Sequence, residues 1–187
     1  SLLVALQTLK ELHGWQDGDM VFVPALTFVA TVNVVFQLGL KPVLVDVDPI
    51  FYDIDIDRLS AAIPILSRWA KCILPVHVFG QPCRLDNLSR IAHVNNLRMV
   101  EDSCEAMLVK RYDSPVGSFG DIGVLSTYIA HLLVTGVGGL SITNNPDYAQ
   151  YMRSLVNHGI DLTELPNGED YDPTWLARKF RFCRVGH

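Results

Sequence analysis

What constrains the fold of this chain most is a rhythm. Short apolar runs alternate with stretches of helical spacing, and most of those runs end in a small, acidic or hydroxyl residue. Met20 to Val23, Pro42 to Val47, Lys71 to Val78, Leu97 to Val100 and Ile122 to Leu125 read as buried strands. Between them, Ser1 to His13 carries Leu2, Leu3, Leu6, Leu9 and Leu12 at helical spacing. Phe28 to Leu38, a segment through Leu59, Ala62 and Ile63, Leu85 to Asn95 and Pro146 to Val156 read the same way. Asp55 stands where an N-cap belongs, Thr27 opens the second helix, and Gly39 is placed to stop it. Strand and helix in turn at this pace predict an α/β domain with a largely parallel sheet. Ligands of such sheets gather at the carboxyl ends of the strands. Those ends carry Pro24 to Phe28, Asp46, His77, Asp102 and Ser126.

Composition narrows the classes. The 187 residues are 49% apolar, which predicts a chain that buries much of its surface in a sheet, a subunit interface or both. No apolar run approaches the roughly 20 residues that a bilayer requires, so no membrane partner is expected. The 20 acidic and 15 basic residues are scattered, with no basic block to follow a nucleic acid. Cys72, Cys83, Cys104 and Cys183 form no Cys-x-x-Cys pair. That argues against a zinc site and for reduced thiols in a cytoplasmic protein, with Cys72 packed as a small apolar residue.

The chemistry concentrates in Ser126 to Gly139. A strand delivers a hydroxyl at Ser126, His131 follows five positions on, and Gly136-Val137-Gly138-Gly139 leads into a second β-type run, Leu140 to Thr143. Other segments accompany it in a fixed order: Phe28 after Pro24-Ala25-Leu26-Thr27, Glu101-Asp102 with Glu105 three on, Val116 to Asp121, then Arg153 and Asn157-His158-Gly159. This series resembles the DegT/StrS family of sugar aminotransferases, pyridoxal-phosphate (PLP) enzymes of fold type I, over nearly the whole chain. The resemblance implies a three-layer α/β/α sandwich with a mostly parallel sheet, like the large domain of that fold type. Residues 1–160 would form it, without the N-terminal phosphate turn, and 161–187 would be a loop leading toward an absent small domain. It also implies a homodimer acting on a nucleotide-linked keto-sugar.

Residue types fit a PLP site. The pyridine nitrogen needs an anion beside it to keep its proton, and the resemblance assigns that role to Asp102. Phe28 matches the flat partner of the ring, Ser126 a phosphate ligand, and Glu105 the position near the ring hydroxyl, where the aminotransferases usually carry glutamine.

One departure bears on the reaction. The aminotransferases carry, five residues after that serine, the lysine that binds the cofactor covalently. Here the residue is His131, and no lysine lies between Lys110 and Lys179. An imidazole has no primary amine, so the cofactor, PLP or pyridoxamine phosphate (PMP), is expected to be held non-covalently. The change resembles an offshoot of the family, the nucleotide-sugar 3-dehydratases. It implies that His131 removes a proton from the methylene carbon of PMP and then serves as the acid for the hydroxyl leaving carbon 3 of a 4-keto-6-deoxy sugar. Leu132 and Val137 depart from that offshoot, which carries a second histidine and a glutamate there. Three readings stay open: such a dehydratase, an aminotransferase with an unusual base or relocated lysine, and an inactive fragment that keeps the fold. His77 reads either as a site residue or as a satisfied structural one. His13 and His93 are expected on helix surfaces, and Asp121 is expected to hold its own glycine-rich turn.

Overall fold

The structure is a computed structural model and describes residues 1–157. The expected loop at 161–172, the basic end from Arg178, and His158-Gly159 lie outside the described residues.

Eight strands and five helices follow in chain order: α1 Leu2–Leu12, β1 Met20–Pro24, α2 Val29–Gln37, β2 Lys41–Val45, α3 Ile56–Leu66, β3 Ala70–Ile73, α4 Leu85–Val94, β4 Arg98–Asp102, β5 Lys110–Arg111, β6 Ser114–Pro115, β7 Ile122–Ser126, β8 Gly139–Ile142 and α5 Pro146–Val156. Six strands form one sheet in the order β2-β1-β3-β4-β7-β8, and β5 and β6 make a separate small ribbon. The first five run parallel, and β8 closes the edge antiparallel to β7. The sheet is therefore mostly parallel, as expected.

Alternation along each strand divides the core in two. Val21 and Val23 of β1, Cys72 of β3, Val100 of β4 and Ile122 and Val124 of β7 pack with Leu6 and Leu9 of α1, Val35 of α2 and Met152 of α5. Phe22, Ile73 and Met99 face the other way, onto Leu59 and Ile63 of α3 and Leu88 and Ile91 of α4. Helices thus cover both faces, giving the three-layer α/β/α sandwich. Cys72 is fully buried, as a small apolar residue should be.

Local chemistry sets the element ends. The Asp55 carboxylate accepts the N–H groups of Asp57 and Arg58 at 2.9 Å each, which is the expected cap of α3. α2 begins one residue later than predicted, with Phe28 rather than Thr27 as N-cap. The run expected as a strand from Lys71 to Val78 ends at Ile73. Beyond it, Leu74 still donates to the Phe22 carbonyl, but Pro75 has no N–H to continue the ladder. The chain then turns through a single 3-10 turn at Val78–Gly80.

Candidate functional site

β1, β3, β4 and β7 end on the same edge of the sheet because they run parallel and adjacent. Phe28 caps α2 just past β1 and is 73% exposed. Asp102 is the last residue of β4, pairs with Val124 of β7 and is 5% exposed. Its Oδ2 accepts a hydrogen bond from Thr31 Oγ1 at 3.0 Å, and its Oδ1 accepts the Cys104 N–H at 3.3 Å. Burial, and next the neighbouring Asp102 carboxylate, push the Cys104 thiol well up. That group stays protonated and is no nucleophile.

Glu101 and Asp102, being successive in a strand, point to opposite faces. Glu101 is fully buried, and its Oε1 accepts the N–H groups of Phe119 and Gly120 at 2.7 and 2.6 Å. Its Oε2 accepts Gly117 N–H at 2.8 Å and faces His77 Nε2 at 3.3 Å. His77 Nδ1 accepts the Cys83 N–H at 3.1 Å, so the ring proton sits on Nε2 and points at Glu101. His77 is thus a satisfied, fully buried structural residue rather than a site residue. The glycine turn is held by Glu101, not by Asp121 as the sequence suggested. Asp121 instead accepts Met99 N–H at 2.8 Å and Arg98 at 3.1 Å, anchoring the start of β4. Gly123 is required by this crossing, since a Cβ there would lie 2.1 Å from the Gly117 carbonyl oxygen.

Ser126 ends β7 and pairs with Gly139 of β8; its Oγ accepts the Tyr128 N–H at 3.2 Å. Gly139 packs so closely on the start of α1 that a Cβ there would meet Ser1 Oγ at 2.6 Å. One strand pairing therefore brings Ser126 beside the amino end of α1, where backbone N–H groups favour an anion. From Ser126 the chain enters a loop stapled at its base by Thr127. Its N–H donates to Gly138, its carbonyl accepts from Thr135, and its hydroxyl meets the Thr135 hydroxyl at 2.7 Å. His131 sits in this loop, its N–H donating to the Tyr128 carbonyl at 2.9 Å and its ring edge-on to Tyr128. Glu105 is exposed, and its carboxylate accepts the Phe79 N–H at 2.7 Å, tying it to the turn after β3.

Three buried polar atoms near this edge lack hydrogen-bond partners: His131 Nδ1, Thr27 Oγ1 and Ser103 Oγ. A buried polar atom left without a partner costs about 1–3 kcal/mol, which a polar group bound here would offset. With a carboxylate, an exposed aromatic face and a hydroxyl beside a helix amino end, the donor set fits a flat, phosphorylated pyridine cofactor. Lys41 and Lys71 lie near the opposite, amino ends of β2 and β3, and Lys10 on α1 donates to the Leu38 carbonyl at 2.6 Å. Leu132 and Val137 are exposed, along with Ile129, Leu133 and Val134, so the loop presents an apolar surface. Among the described residues no three His, Cys, Asp or Glu groups are placed to hold a metal ion, and no helix is long and apolar enough to cross a membrane.

A cleft also opens on the other side of the sheet. It measures about 420 Å³, is lined by His13, Trp15, Asp19, Lys71 and Arg98, and lies at the amino ends of the strands. Its cations already face Asp19 at 3.8 Å and Asp121 at 3.1 Å, and none of Phe28, Asp102, Glu105, Ser126 and His131 lines it.

Comparison with known proteins shows the family. Residues 1–181 match the model of the DegT/DnrJ/EryC1/StrS aminotransferase family. The chain belongs to that family. It is 38% identical over 148 residues to a GDP-perosamine synthase of Caulobacter vibrioides, covering 79% of this chain and 39% of that protein. A DegT/DnrJ/EryC1/StrS aminotransferase of Brucella abortus superposes with a TM-score of 0.80 at 35% identity, over 91% of this chain and 45% of that one. The E. coli GDP-4-keto-6-deoxy-D-mannose-3-dehydratase with bound hydrated PLP superposes with a TM-score of 0.73 at 27% identity, over 83% and 39%. The chain thus spans less than half the length of these family members. Sequence reasoning had not found Thr31, Thr127 or the role of Glu101. A hydroxyl three residues after Phe28 was visible but had no known partner until the fold placed Asp102 beside it.

Proposed function

We propose that this chain is the cofactor-binding part of a PMP-dependent nucleotide-sugar 3-dehydratase of the family. The observation that carries the reading is His131, standing in the loop after β7 where the aminotransferases bear their lysine, with Nδ1 buried and unpartnered. PMP, when bound, supplies an amine that joins the keto carbon of the sugar and a ring that draws electrons from it. Asp102 would keep the proton on the ring nitrogen, Phe28 would cover one ring face, and Ser126 with the amino end of α1 would receive the phosphate. Glu105, whose carboxylate accepts the Phe79 N–H, would stand near the ring hydroxyl. His131 would act as the general base and acid of the site, holding a proton at one imidazole nitrogen between its removal from carbon and its delivery to the departing hydroxyl. The apolar loop surface, with Phe28, supports a homodimer that closes the site, and the Cys residues without a Cys-x-x-Cys pair favour a reducing cytoplasm.

The test adds PLP and PMP separately, follows absorbance, then reduces with borohydride and maps the product by mass. Cofactor bound without covalent attachment is the expected result. A His131→Asn variant should keep that binding and lose roughly 10²–10⁴-fold in turnover of a 4-keto-6-deoxy nucleotide sugar. Fixation of PLP to one lysine would refute the reading in favour of an aminotransferase with a relocated lysine. Absence of binding would favour an inactive fragment.

A further inference from the structure

The carboxylate of Asp102 is gripped from a helix that does not belong to its own strand. Thr31 Oγ1 donates to Oδ2 at 3.0 Å, and Thr31 is 1% exposed. Thr31 lies in the first turn of α2, three residues beyond the cap Phe28, and its own N–H closes onto the Phe28 carbonyl at 3.0 Å. A single helical turn therefore carries the exposed Phe28 ring and the hydroxyl that holds Asp102.

We propose that Thr31 is a positioning residue for the cofactor ring. Its hydroxyl fixes the Asp102 carboxylate in the orientation that meets the pyridine nitrogen, and the α2 turn ties that carboxylate to the Phe28 ring. The assignment rests on the reading of Asp102 and Phe28 as cofactor contacts given above. An ionised carboxylate offers about four lone-pair sites. Thr31 and Cys104 occupy one on each oxygen, so each keeps a further site for a ring N–H. The terminal torsion of an aspartate is broad and only two-fold, so without Thr31 the carboxylate is held by Cys104 alone and can turn about it. Thr31 has one hydroxyl proton and gives it to Asp102, so it directs the carboxylate rather than touching the substrate.

Two substitutions separate the hydroxyl from the methyl group. Thr31→Val keeps the shape and loses the donor; Thr31→Ser keeps the donor and loses the methyl. Each variant is titrated with PMP carrying ¹⁵N in the ring, reading the dissociation constant and the chemical shift of that nitrogen. Thr31→Val is expected to bind PMP about tenfold more weakly. Its ¹⁵N shift should move toward that of an unprotonated pyridine, while Thr31→Ser matches the wild type in both. Thr31→Val indistinguishable from the wild type overturns the role of Thr31 alone. Weaker binding in Thr31→Ser than in Thr31→Val assigns the effect to packing and overturns it too. A wild-type chain that binds no PMP removes the cofactor reading itself, and this assignment with it.

Discussion

Glu101→Gln is the most informative single change, because it alters one atom in a group with four donors around it. The carboxylate is fully buried and receives Gly117, Phe119 and Gly120 N–H groups at 2.8, 2.7 and 2.6 Å, with His77 Nε2 at 3.3 Å. Glutamine has the same shape, but one oxygen becomes an NH₂. Turned either way, that NH₂ faces two donors: Phe119 and Gly120, or Gly117 and His77. Hydrogen bonds to a charged group contribute about 1.5–3 kcal/mol each, so losing two costs roughly 3–6 kcal/mol. A domain has only about 5–15 kcal/mol in total. With a urea slope of about 2 kcal/mol per molar, the unfolding midpoint should fall by roughly 1.5–3 M at constant slope. Urea titrations followed by far-UV circular dichroism read this directly. A midpoint shift below about 0.5 M, or about 1 kcal/mol, would mean that the turn before β7 does not depend on Glu101.

Two further outcomes follow from the same geometry. Gly123→Ala places a methyl 2.1 Å from the Gly117 carbonyl oxygen, with backbone on both sides. It should cost about 3 kcal/mol or more, and a melting temperature equal to wild type would contradict the crossing described here. His13 is held below its ordinary value of 6.5 by burial and then by Arg98, with Asp121 opposing. A histidine with a lowered folded pKa stabilises fully above 6.5, and that contribution is lost as pH falls through the folded value. The melting temperature should therefore drop between pH 7 and pH 5 by more in the wild type than in His13→Gln. Equal slopes would show that the contact of His13 with Tyr148, at 2.7 Å, does not titrate with folding.

By itself the sequence determined the elements and their alternation. Helix and strand are written in local periods of 3.6 and 2, and caps in single residues. Asp55 thus sits on α3 as read, and α5 spans Pro146 to Val156 as read. It also determined which chemistry was at stake, since replacing lysine by His131 removes a primary amine whatever the fold does. Boundaries failed where a ladder ended for want of a donor, as at Pro75. What only the tertiary structure decided is how buried polar groups are shared out. Glu101 and Asp102 are adjacent in sequence, yet the pleat sends one to the glycine turn and His77 and the other to Thr31, 71 residues away. No local pattern encodes that division. A buried carboxylate takes whichever donors the packed layers bring to it, and those come from elements distant in the chain.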